Sequence, residues 1–208
     1  MKYIKKLPAT DNELSSQLQK DGWIKIKEPK NVVLAILFSF PFMFILSIVI
    51  VWLAYLLRPE IFNFITSNSF SLTIQLNIRF LFFIIIIVTY MFLHEMIHAA
   101  LIPNFIKSEK TFWGINGLFA FVFTTEPITK RRFLIVSCMP FVLLSIGSML
   151  FFDLIDYLNE YTFLLCLINA AGSCVDFLNM ILIGFQVKPG HTIINNGFET
   201  YYSPTKLT

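Results

Sequence analysis

Charge is what this chain has little of. Only 14% of its 208 residues are charged, whereas soluble domains carry about 25%. With 56% apolar residues and a mean hydropathy of +0.71, that shortage excludes a water-soluble globular domain and a disordered chain. Cysteine is scarce as well. Cys138, Cys166 and Cys174 lie in apolar runs without a Cys-x-x-Cys spacing, which excludes a disulfide framework and a thiolate metal site. They read as small buried hydrophobes. Glycine (8) and proline (9) are too few, beside 24 Phe, for low-complexity sequence. The net charge of +3 is too mild for a nucleic-acid partner. No cleavable signal peptide is expected, because the first run of residues is polar and the apolar stretch after it is too long for one.

What the chain does have is four long apolar runs. Residues 32–57 and 133–152 contain no charge, 80–103 are apolar except for one polar cluster, and 161–187 contain only Asp176. Roughly 20 apolar residues cross a bilayer, so each run is expected to be a span. The fold class expected is an all-α membrane protein. Residues 1–31 form an N-terminal tail, 32–187 a four-helix transmembrane domain and 188–208 a C-terminal tail. Pro140 is expected to kink the third helix, with neighbouring helices covering the freed carbonyl.

Lysine and arginine set the orientation. The N-terminal tail holds seven, the loop between the second and third spans five and the C-terminal tail two, while the first loop holds two and the third none. Both termini and the second loop are therefore expected in the cytoplasm, with 14 basic residues inside and 2 outside. Thr10 to Glu13 is a capping-box pattern that predicts a helix from Glu13 to about Lys20. Asp21-Gly22 ends it, and residues 23–29 are expected to lie extended along the membrane surface. In the second loop, residues 112–123 are rich in β-formers and contain Asn116-Gly117, which predicts a small cytoplasmic β-hairpin between helices two and three.

The polar cluster in the second span is His94-Glu95-Met96-Ile97-His98. On a helix the two histidines project from one face and can bind one Zn²⁺, with Glu95 placed to activate a water. Three ionisable side chains so close together in a span are costly in lipid, which marks them as functional. A catalytic zinc takes three protein ligands and keeps one position open. Glu109, Glu126, Cys174 and His191 are conceivable third ligands. Asp176 is the best candidate, as the only other acid inside a span. At about 1.5 Å per residue, His94 lies about 21 Å along the second helix, His98 about 27 Å, and Asp176 about 22 Å along the parallel fourth. Asn169 and Ser173 share the Asp176 face. Asn169 is expected to orient a ligand or donate to a developing oxyanion, and Ser173 to hold Asp176. Interhelical packing bonds are the plainer reading of both.

Three segments carry a family resemblance: HEMIHA from His94 to Ala99, NAAGSCVD from Asn169 to Asp176, and Gly22-Trp23 followed by Glu28-Pro29-Lys30. Through them the chain resembles the "putative zincin peptidase" family of small bacterial membrane proteins. That family is similar in layout to the site-2 proteases, which pair H-E-x-x-H on one transmembrane helix with an Asp on a later one. The resemblance runs from the N-terminal tail through the fourth helix. It implies zinc ligands His94, His98 and Asp176, with Glu95 as the catalytic acid and base. The chain departs from the site-2 pattern in having Val175 and Phe177 around the aspartate in place of Leu-Asp-Gly, and in lacking a proline-rich stretch before it.

The function expected is an intramembrane zinc metalloprotease acting on membrane-protein or peptide substrates near the cytoplasmic face of a bacterial plasma membrane. Abundant Phe, Ile, Asn and Lys suit an AT-rich bacterial genome. The alternative is a non-proteolytic metal-binding membrane protein, such as a transporter subunit or a protective protein. The absence of repeats and of a polar path disfavours a transporter.

Overall fold

A computed structural model describes residues 1–63, 76–116 and 119–206. Four of its helices are long and apolar enough to cross a membrane, which fits a multi-pass membrane protein. They are α2 (Val32–Leu57), α3 (Ile78–Leu101), α4 (Lys130–Leu154) and the stretch Glu160–Gln186. The last is interrupted at Ser173 into α5 (Glu160–Gly172) and α6 (Cys174–Gln186). These ends agree with the expected spans to within a few residues. The short α1 (Asn12–Lys20) precedes them, capped by the Asp11 carboxylate, which accepts the Glu13 and Leu14 amides.

The spans pack through narrow seams. In α2 only Ser39, Leu46, Ile50 and Ala54 are buried, along one stripe. That stripe joins Phe141 and Met149 of α4 and Cys166 and Ala170 of α5 in one core. The other faces of α2 expose Phe38, Phe44, Ile48 and Trp52, as a surface solvated by lipid requires. At one end of the bundle Arg58 Nε donates to Asp153 Oδ1 at 2.6 Å, and its Nη2 donates to Asp156 Oδ1. The first and third loops are thereby held at that end.

Just after Pro140, where a kink is expected, α4 widens. Residues Phe141–Gly147 of α4 wind as a π-helix, the adjustment that a helix makes when its i→i−4 ladder is interrupted. One expectation needs correction: the chain is not all-α. Besides the expected hairpin, β3 (Thr111–Asn116) and β4 (Phe119–Thr124), it has β1 (Lys2–Tyr3), β2 (Ile24–Lys25), β5 (Ile128–Thr129), β6 (His191–Asn196) and β7 (Glu199–Lys206). The expected turn residue Gly117 lies outside the described residues, but Asn116 pairs with Phe119 across it.

The strands form two sheets, in the orders β1-β3-β4 and β2-β7-β6-β5. The N-terminal tail thus pairs with the hairpin through β1 and with the C-terminal tail through β2. Both termini and the second loop therefore gather at the end of the bundle opposite Arg58. Residues 23–29 do not simply lie along a surface, because Ile24 and Lys25 pair with Tyr202 and Tyr201. The C-terminal segment is a hairpin and not a plain tail. Lys25 forms an ion pair with Glu199, which holds its ammonium above the ordinary lysine pKa. Glu28 accepts the Thr200 amide at 2.6 Å and its hydroxyl at 2.9 Å. Burial pushes the Glu28 carboxyl up against those two donors.

The turn between β6 and β7 is tight. Asn196 pairs with Glu199, leaving a two-residue loop that starts at Gly197 with φ +60°. A Cβ on Gly197 would also lie 2.5 Å from the Thr10 nitrogen and 2.6 Å from the Ala9 carbonyl carbon. Gly197→Val is expected to destabilise the cap by about 1–3 kcal/mol. Gly22 has φ +82° in open space, so Gly22→Ala is the control for backbone strain alone. Thermal unfolding of the detergent-solubilised protein checks this. Equal losses in the two variants would remove any role for close packing at Gly197.

Candidate metal centre

His94 and His98 lie one turn apart near the end of α3, and their rings meet edge to face with centroids 4.9 Å apart. Asp176 lies in the first turn of α6. The interruption before it has a local cause. The Asn169 carbonyl accepts both the Ser173 amide (3.0 Å) and the Ser173 hydroxyl (2.9 Å), and such back-bonding bends helices. His94 Nε2 then lies 3.2 Å from Asp176 Oδ2, and His98 Nε2 lies 3.3 Å from Oδ1.

Each imidazole is fixed through its other nitrogen. His94 Nδ1 donates to Asn169 Oδ1 at 2.9 Å, and His98 Nδ1 donates to the Val136 carbonyl at 2.9 Å. With Nδ1 engaged in this way, the neutral form of each imidazole has Nε2, the nitrogen nearest Asp176, free to ligate a metal. The Asn169 amide is fixed in turn, since its Nδ2 donates to the Pro140 carbonyl (3.2 Å) and to Ser145 Oγ (2.8 Å).

The Val136 carbonyl is available because of Pro140. In a regular helix it would accept the amide of residue 140, and proline has none. The sequence contained that signal, since a proline frees the carbonyl four residues before it. What it did not contain was the partner, which comes from α3.

The donor set suits zinc. Two neutral imidazole nitrogens and a carboxylate oxygen are ordinary zinc ligands. Their atoms lie within 4.8 Å of one another. The two Nε2 atoms approach different oxygens of the Asp176 carboxylate, at 3.2 and 3.3 Å. The other conceivable third ligands are engaged elsewhere: Glu109 pairs with Lys2, Glu126 accepts the Ser108 hydroxyl, Cys174 accepts the Ser39 hydroxyl, and His191 Nδ1 donates to the Ser203 carbonyl.

Two sequence expectations are refined. Of the two roles considered for Asn169, its bonds fit the orienting one, since its Oδ1 accepts from His94 Nδ1. Its amide protons are engaged within the bundle, so none is left for an oxyanion. Ser173 bonds to the Asn169 carbonyl and not to Asp176. Glu95 lies between the two histidines in sequence and close enough to feel His98, His94 and Asp176, with the backbone amide of Val122 in β4 also within reach of its carboxylate.

A cleft of about 330 Å³ runs from His98 and Asp176 to the strand-capped end of the bundle. Its walls come from the start of α2, from α4 and α6, from β4 and from both tails. They are mostly apolar. Among the described residues no lysine or arginine lines it, and its carboxylates are Asp176 and Glu28.

The family described as "Putative zincin peptidase" matches residues 85–191, just over half of the chain, including His94, Glu95, His98 and Asp176. No curated protein and no solved structure matches the chain.

Two variants test the geometry. Pro140→Ala restores an amide that competes with His98 for the Val136 carbonyl. It is expected to keep or raise thermal stability while weakening zinc binding about tenfold. Asn169→Leu is expected to weaken it about 10–100-fold, the usual cost of removing a group that orients a ligand. Competition with a chelator measures both. Unchanged zinc affinity in Pro140→Ala would break the link between the proline and the centre.

Proposed function

The chain belongs to the putative zincin peptidase family, and from that membership and the site geometry we propose that it is an intramembrane zinc metallopeptidase. It hydrolyses peptide bonds of membrane-associated substrates near the cytoplasmic face. The observation that carries this reading is the convergence of His94 Nε2, His98 Nε2 and the Asp176 carboxylate, with both Nδ1 atoms engaged, at the head of a cleft. The 14 basic residues of the tails and second loop support a cytoplasmic location for that end of the bundle.

Zinc, when bound, supplies a Lewis acid that polarises the scissile carbonyl and makes water a nucleophile near neutral pH. His94, His98 and Asp176 hold it. Glu95 takes a proton from the attacking water and delivers it to the nitrogen of the breaking C–N bond. Asn169 and the Val136 carbonyl keep the imidazoles in the tautomer that the centre requires. Water can reach His98 and Asp176 through the cleft, and the apolar walls exclude bulk solvent from the rest. β4 is an edge strand beside Glu95, so an unwound stretch of substrate can add to it and lie extended across the centre.

Glu95→Gln preserves the size of the side chain and removes its basicity. Cleavage of a membrane-embedded reporter is expected to fall by about 10²–10⁴-fold, with zinc content unchanged. Normal cleavage by this variant would exclude the peptidase reading. A zinc-binding protein whose cellular function is indifferent to the substitution would favour a non-proteolytic role.

A further inference from the structure

An extended peptide has two main-chain edges. If one edge pairs with β4, the other faces a cleft that is mostly apolar and lies within the bundle. Unpaired N–H and C=O groups there cost several kcal/mol each. A cleft built for such a peptide therefore needs polar groups on a wall other than β4.

Ser137 and Asn179 meet that need. Both line the cleft, Ser137 from α4 and Asn179 from α6. Asn179 follows Asp176 by three residues and so shares its helix face. Ser137 follows Val136, whose carbonyl fixes His98. Ser137 is only 6% exposed. Among the described residues neither side chain has a hydrogen-bond partner. That is unusual within the bundle, where Ser39, Ser148 and Ser173 each donate to a carbonyl of their own helix. The other polar side chains of the cleft outside the centre are engaged. Glu28, Thr200 and Asn195 form one chain of bonds, Asn31 caps α2, and Thr124 bonds with Thr111.

We infer that Asn179 and Ser137 are substrate-binding residues that hold the second main-chain edge of an extended peptide whose first edge lies on β4. The Asn179 amide can both donate to a peptide carbonyl and accept from a peptide N–H. The Ser137 hydroxyl supplies one more bond beside the His98 anchor. The inference rests on the peptidase reading, but its signature is binding and not turnover. The substrate class it implies is a main chain free on both edges, which neither a helix nor a paired strand provides.

The test uses the full chain, zinc-loaded in detergent and carrying Glu95→Gln so that nothing is cut. The probe is a fluorescent peptide of Leu, Val and Ala residues, with affinity read by anisotropy. Asn179→Leu is expected to weaken binding about tenfold and Ser137→Ala about threefold, the range of one net hydrogen bond. Zinc content is measured in each variant. Singly N-methylated versions of the probe give the decisive readout. At one backbone nitrogen, methylation should weaken binding to the parent about tenfold and have no further effect on Asn179→Leu. Packing defects would not produce that position-specific loss. Equal N-methyl penalties in parent and variants at every position would overturn the inference, as would Asn179→Leu and Ser137→Ala proteins that bind like the parent. Cleavage by protein with Glu95 intact is measured separately, so the peptidase reading can fail while the binding result stands.

Discussion

The centre depends on one hydrogen bond, from His98 Nδ1 to the Val136 carbonyl. It exists because residue 140 has no amide proton to offer that carbonyl. One cyclic side chain thereby does three things. It supplies an acceptor inside a span, it fixes the tautomer of an imidazole on another span, and it sets α4 into its π-helical turn. Beyond that turn, Tyr90 on α3 donates to the Leu144 carbonyl and the Asn169 amide donates to the Pro140 carbonyl. The disturbance in α4 is covered by groups from α3 and α5, and those groups also position the centre.

Lipid makes this arrangement strict. A polar group in hydrocarbon that finds no partner has no water to fall back on. The groups around the centre accordingly form a closed chain from Val136 through His98, Asp176, His94 and Asn169 to Pro140 and Ser145. Each link narrows the geometry of the next. Replacing one member leaves its neighbour unpaired, so a polar substitution here costs more than a comparable one at a solvated site. Ser137 and Asn179 gain their meaning from the same rule, because they lie beside this chain and outside it.

Much of this was legible in the sequence. The spans were plain because long uncharged runs have no other stable environment, and H-E-x-x-H was plain because helical spacing alone puts both histidines on one face. Asp176 was legible because acids are so rare in the spans. The sheets were not. β1, β2 and β5 are two residues each, too short to show an alternating pattern, and exist only because longer strands lie beside them. The β6–β7 hairpin did carry a signal. Asn196-Gly197 repeats the dipeptide that marked the first hairpin, flanked by Ile193 and Ile194 before it and Phe198, Tyr201 and Tyr202 after it. The role of Asn169 was ambiguous for a different reason. An amide can orient a ligand or stabilise an oxyanion, and only its neighbours on α3 and α4 decide which.

The order of the chain also matters. The ligands are split between the second span and the fourth, so no synthesis intermediate lacking α6 holds all three. The cleft is completed later still. Its wall includes Asn195, Gly197, Phe198 and Thr200. These are held by contacts as remote as that of Asn196 Nδ2 with the Asp11 carbonyl, 185 residues away in sequence. Such contacts form only after the intervening spans have brought the termini to the same end of the bundle. The two terminal segments, paired through β2 and β7, contribute part of the cleft wall. A centre whose cleft is completed by the last strands of its own chain gains its full walls only when the chain is whole.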